Sequence, residues 1–187
     1  REHRPAVLDN EDLRPLGDRL KRLALSAASA KGACLVGMDL SGAQLQAANL
    51  EDADLRGANL TGADLRGARL ARANLTKADL SGALLSTLPL GQDRATPTRL
   101  EDSAMRYASL ARADLTKAVL DRADVRGADM DAPTNVDIAS QSGLFVGDIR
   151  VDPNNARAVW FWIVCDNLRL RADAAAALLG VEGSKKQ

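Results

Sequence analysis

Aspartate stands directly before a large apolar residue at Asp54, Asp64, Asp79, Asp114, Asp124 and Asp129. Paired carboxylates of this kind can do acid–base work or hold a hard cation, provided two of them converge on one point. Their spacing argues otherwise. The acids recur because the surrounding sequence recurs, so a pair such as Asp54 and Asp114 is expected to form a stacked surface row, not a catalytic couple. The only histidine is His3, at the very start of the chain, and there is no Cys/His cluster, Gly-rich phosphate loop or metal-ligand spacing. The sequence therefore offers no catalytic, cofactor-binding or metal residues, and a non-enzymatic binding role is the expectation. Cys34 and Cys165 are expected to be free thiols, since about five coils at ~4.8 Å would separate them, beyond disulfide reach.

What must position these side chains is set by composition. Of 187 residues, 46% are hydrophobic but only 3% aromatic, so Ala and Leu have to fill the interior, which suits a repeat that stacks on copies of itself. The 25 basic residues balance the 25 acidic ones, so no whole-molecule field favours nucleic acid or an anionic membrane. No apolar run is long enough to span a bilayer. A cytoplasmic protein without direct nucleic-acid or membrane contact is expected.

A large apolar residue falls on almost every multiple of five from Leu35 to Met130, with Ala95 as the exception. Ala precedes these centres by two positions, as at Ala53, Ala58, Ala63, Ala68, Ala73 and Ala78, and again from Ala108 to Ala128. A period of five matches neither the 3.6 of a helix nor the 2.0 of a strand. Five residues must instead form one side, a short extended piece plus a corner, with the centre and its Ala pointing inward. Four such sides close a square coil, and stacked coils put Leu on Leu.

The pattern Ala-(Asp/Asn)-Leu-x-x resembles the signature of the pentapeptide-repeat family. That resemblance implies an all-β solenoid, a right-handed quadrilateral β-helix of pentapeptide repeats with short N-terminal and C-terminal α-helical caps. The expected organisation is an N-terminal helical cap over 1–22, a repeat β-helix over 23–132 with a loop at about 87–98, and a final partial coil plus helical cap and dimerisation segment over 133–187. At the N-terminus, Leu13, Leu16, Leu20 and Leu23 follow helical spacing with Pro15 in the first turn. At the C-terminus, residues 142–151 read as a last partial coil, followed by a helix from Asp152-Pro153 through about Cys165 and a second over Ala174 to Leu179.

Two expectations about partners follow. The segment from Leu88 to Thr98 puts Leu88, Asp93 and Thr98 where Ala belongs, and burying Asp93 unpaired would be costly. Either a loop or two irregular in-line repeats fits. In quinolone-resistance members of the family such loops engage the topoisomerase, which makes Gln92, Asp93, Arg94 and Thr96 the candidate contact loop. The second concerns the helix after Pro153, which carries apolar stripes on two sides and so needs a second cover. The Ala174–Leu179 helix could supply it. Resemblance to the C-terminal segment of the mycobacterial fluoroquinolone-resistance members implies instead a homodimer, through Phe145, Trp160, Phe161, Trp162 and Ile163.

The same resemblance implies DNA gyrase or topoisomerase IV as partner, approached by DNA mimicry. The alternative is a structural protein–protein interaction module or scaffold. Mimicry requires an acidic face, for which Asp39, Asp79, Glu101, Asp102 and Asp121 are the candidates. Between Ala33 and Ala132, however, 14 acidic residues face 12 basic ones. If the coils keep register, Arg66, Arg106 and Arg126 stack on one face and Arg72 and Arg112 on the next.

Overall fold

The computed structural model describes residues 4–129 in full, together with the backbone of 135–136, 145–146 and 149–150. Over the described residues the chain winds as a β-helix. Single parallel bridges join residues 20 apart, as in Gln44 to Asp64, Asn49 to Arg69, Asp54 to Asn74 and Asn59 to Asp79. One coil is thus 20 residues and four five-residue sides. We number the faces in chain order by these residues: face I holds Gln44, face II Asn49, face III Asp54 and face IV Asn59.

Each centre donates its N–H to the next coil and each preceding residue donates to the coil before, as Leu45 N to Asp64 O at 2.8 Å and Asp64 N to Ala43 O at 2.9 Å. Corners close by a turn in which the Ala N–H returns to the previous centre, as Ala48 N to Leu45 O at 3.0 Å. The residue before that Ala takes positive φ, whether Gly62 or Asp52. Neighbouring coils thereby satisfy one another's inward-facing backbone groups, which is the condition for burying short strands at all.

Inside, Ala and Leu alternate through most of the stack. Leu55, Leu60, Leu65, Leu70, Leu75, Leu80 and Leu85 are wholly buried, as are Ala53, Ala58, Ala63, Ala68 and Ala73. Each Leu taken from water contributes about 1.5–3 kcal/mol, and the small Ala lets neighbouring ladders interdigitate. At Ala30, where the ladder of Leu50 and Leu70 ends, the packing loosens into a small aliphatic cavity that Leu25, Leu35 and Leu50 help to line.

The N-terminus departs from the expected α-helical cap. The wall begins at Val7 and Asp12, which bridge Ser29 and Cys34, well before residue 23. The helix is a seven-residue 3-10 segment, η1 (Arg14–Leu20), broken at Gly17 (φ 55°). Pro15 does sit in its first turn, and Leu13 and Leu20 are buried while Leu23 is exposed. The physical reason is that closing a square coil needs a side with a corner, which a continuous α-helix cannot provide.

The segment after Leu85 leaves the wall as a β-hairpin. Strand β1 (Leu88–Gly91) pairs antiparallel with β2 (Arg94–Thr96). Beyond it the bridges jump to a spacing of 30, Arg69 to Arg99 and Asn74 to Ala104, so ten residues stand outside the coil. The two readings of this segment are thereby resolved in favour of a protruding loop. Leu90, in phase as a centre, is 54% exposed. Asp93 is exposed as well.

Thr98 is the exception among the three misfits, because it occupies an Ala position and is fully buried. Its hydroxyl accepts from Gly67 N at 2.9 Å and lies 3.0 and 2.9 Å from the carbonyl oxygens of Leu65 and Ser86, to which its single proton is shared. It thus knits the corner that the hairpin opens. Ser103 takes another Ala position, and its buried Oγ has no partner.

Past Asp129, β3 (Asp114–Leu115) pairs parallel with β4 (Asn135–Val136), a spacing of 21 that marks one extra residue. Strands β5 (Phe145–Val146) and β6 (Ile149–Arg150) pair antiparallel. That is a hairpin, where parallel stacking of a final partial coil was expected. The rest of the C-terminal segment, with Trp160, Phe161, Trp162, Ile163 and the side chain of Phe145, lies outside the described residues.

Candidate interaction surface

The hairpin carries its tip clear of the wall on paired strands. Gln92 (φ 51°) and Asp93 (φ 57°) are both left-handed, the backbone of a two-residue type I′ turn, whose twist matches the strands it joins. Gln92, Asp93 and Arg94 come together at the exposed tip. Thr96 does not join them. It is half-buried at the base, where it and Leu88 lean on Gly67 so closely that a Cβ on that glycine would lie 2.6 and 2.8 Å from them.

The ten-residue excursion also moves every later residue by two sides, from the expected face to the opposite one. Asp39 and Asp79 stand on face IV with Asn59 and Ser109, whereas Glu101, Asp102 and Asp121 stand on face II. The five candidate acids therefore form no single face. For the same reason Arg66 (face I) lies opposite Arg106 and Arg126 (face III), and Arg72 (face II) opposite Arg112 (face IV). Asp54 and Asp114 are likewise on opposite faces, III and I, and form no row.

Face II carries instead a ladder of paired charge that sequence spacing does not reveal. Glu51 receives Arg69 at 2.5 Å, and Asp52 receives Arg72 at 2.6 Å from the next coil. Lys31 approaches Glu51 and Asp52 from the coil before, at 3.7 and 3.9 Å. Further along, Arg122 pairs with Asp102 at 2.6 Å and Arg99 with Glu101 at 2.6 Å. The guanidinium groups beside them hold the Asp52 and Asp102 carboxyls below the usual range. The signal that could have exposed the ladder is the pair Glu51-Asp52 followed one coil later by Arg69 and Arg72, legible only once the coil length is known.

Several acids elsewhere are also occupied. Asp54 binds Arg56 at 2.7 Å, Asp64 binds Arg66 at 2.6 Å, and Asp124 takes both Arg106 and Arg126. Lys21, at 2.8 Å, together with Ser41 lowers the Asp39 carboxyl to about 2. Over the coils from Lys21 to Asp129 no face holds more carboxylates than cations: two of each on face I, five of each on II, three of each on IV, and two against four on III. Among the described residues no His, Cys, Asp and Glu converge as a metal site, Cys34 is in no disulfide, and no helix is long and apolar enough to cross a membrane.

The profile of a family described as pentapeptide repeats matches in eight copies, over residues 25–62, 48–86 and 98–131. The matches cover just over half of the chain and are interrupted only at the hairpin, between 86 and 98. No curated protein matches the sequence. Among solved structures, the pentapeptide-repeat protein Rfr23 from the cyanobacterium Cyanothece 51142 is 25% identical with a TM-score of 0.43, over 61% of this chain and 63% of that one. HetL, a pentapeptide-repeat protein involved in heterocyst differentiation regulation in Nostoc sp. strain PCC 7120, is 28% identical with a TM-score of 0.41, over 70% and 67%. QnrB1, a plasmid-mediated fluoroquinolone resistance protein, is 16% identical with a TM-score of 0.27, over 83% and 93%. Similarity at this level transfers no partner from those proteins to this chain.

Proposed function

Because this chain belongs to the pentapeptide-repeat family, we propose that it is a non-enzymatic binding rod that recognises another protein through the hairpin β1–β2. The proposal takes the coil as the right-handed form that the family resemblance implies, with residues 133–187 closing its far end and forming a homodimer. One observation carries the recognition claim: the wall closes without the ten hairpin residues, yet they hold Leu90 at 54% exposure beside the polar tip. An exposed leucine in a paired strand contributes nothing to the core. It does make a good anchor, since little conformational freedom is lost when a partner covers it.

DNA mimicry toward DNA gyrase or topoisomerase IV requires rows of carboxylates standing where phosphates would lie. The paired charges and the absence of an acidic face among the described coils favour the interaction-module reading. Two measurements test it. Capture from the native host with tagged protein is expected to retain a partner that is lost with Leu90→Ser combined with Arg94→Glu, the melting temperature staying unchanged. In a gyrase supercoiling assay with quinolone, no protection is expected at micromolar protein; protection that survives the hairpin variant would contradict this reading in favour of mimicry.

A further inference from the structure

The charges of face II are banded by coil. Lys31 gives the first band one positive charge, Glu51 and Asp52 give the second two negative, Arg69 and Arg72 the third two positive, and Arg99 with Glu101 and Asp102 the fourth one negative, flanked by Asp9 in the coil before and by the neutral couple of Asp121 and Arg122 in the coil after. The four central bands are antisymmetric about the midpoint between the second and third. Neighbouring coils of one chain use this alternation for their own ion pairs, but those pairs leave Arg69 and Arg72 55% and 53% exposed and Asp52 39% exposed. The guanidinium groups, Asp52 and Asp102 (41% exposed) thus keep charge facing outward, whereas Glu51 and Glu101 are only 14% and 13% exposed.

A two-fold axis lying in the face and running across the solenoid brings the second band of one copy against the third band of the other, and the first against the fourth. All four contacts then join opposite signs. A two-fold axis along the solenoid sets each band against itself, so every contact is repulsive. We propose that face II is a self-complementary surface on which a second copy of this chain docks antiparallel, centred between the Glu51 and Arg69 coils. Isologous interfaces demand this self-complementarity, and charge pattern fixes register and orientation more than it adds affinity. Four coils at ~4.8 Å each make a patch well below the ~800 Å² per partner of a stable interface. The association is accordingly weak and governed by ionic strength, unlike the apolar C-terminal contact proposed above.

Sedimentation of the full-length chain is the test. Association is expected to weaken about tenfold or more between roughly 10 mM and 500 mM salt, as the Debye length falls from ~30 Å to below 10 Å. Arg69→Glu with Arg72→Glu should abolish that step, and so should Glu51→Arg with Asp52→Arg. An equimolar mixture of the two variants should restore it, because their bands are again opposite. Should either pair unfold, Arg69→Gln with Arg72→Gln serves in its place and should also abolish the step. Association indifferent to salt and to these substitutions, or no association at low salt, or variants that fail to rescue each other, overturns the proposal.

Discussion

Leu65→Asp is expected to abolish folding of the β-helix. Leu65 is wholly buried in a ladder with Leu45, Leu85 and Leu115, and its surroundings offer aliphatic side chains and backbone groups already paired between coils. Truncation to Ala alone would cost about 2–5 kcal/mol through lost burial and the cavity left behind. A carboxylate adds the cost of burying a charge with no partner, in a chain whose total stability is on the order of 5–15 kcal/mol. Leu90→Asp is the internal comparison, since Leu90 shares the phase of five but stands in the hairpin at 54% exposure. Circular dichroism and thermal melting should show Leu65→Asp without a cooperative transition and Leu90→Asp close to the parent. Equal behaviour of the two would refute the inward assignment.

Gly67→Ala is expected to destabilise the protein in a way that depends on the hairpin. Two costs coincide at this residue. Its φ of 67° strains any residue with a Cβ, by about 1 kcal/mol. The added methyl would also press on Thr96 and Leu88 at the hairpin base, at 2.6 and 2.8 Å, so the base must lift and take with it the neighbourhood of the Thr98 hydroxyl, which Gly67 N donates to. Deleting residues 88–97 together with Thr87→Gly should leave a folded coil, because Ser86 then runs into a glycine at the positive-φ corner and on to Thr98. In that shortened background only the conformational cost remains, so Gly67→Ala should cost about 1 kcal/mol there and about 2–3 kcal/mol in the full chain. Melts of the four proteins in this cycle check it, and additive effects would show that the hairpin does not rest on Gly67.

Outside the hairpin the inward pattern was legible in the sequence because only one geometry places a large residue on every fifth position and a small one two before it. Leu55, Leu75 and Ala63 therefore appear where periodicity puts them. Which residues share a face was not legible. A face repeats every 20 residues, and an excursion of ten preserves the phase of five while shifting the faces by two, so Glu101 and Asp102 were expected beside Asp39 and lie opposite it. Leu90 misleads for the same reason, since the phase runs through the hairpin unbroken. Thr98 was grouped with the interruption because a hydroxyl in an Ala ladder looks wrong until the opened corner gives it Gly67, Leu65 and Ser86 as partners. At the N-terminus, leucine spacing compatible with a helix was equally compatible with one side and a corner, and Gly17 marks the break.

The face assignments beyond the hairpin, and with them the fourth band of the proposed docking surface, rest on the shift of register at the hairpin. Disulfide trapping measures it directly, in a chain with Cys34→Ser and Cys165→Ser. Arg69→Cys with Arg99→Cys places thiols on bridged residues of adjacent coils, within the ~4.4–6.8 Å Cα range of a disulfide, and should cross-link rapidly on mild oxidation. Arg69→Cys with Pro89→Cys, the pair that in-line repeats would bring together, should stay reduced; cross-linking of the second pair in preference to the first would contradict the account.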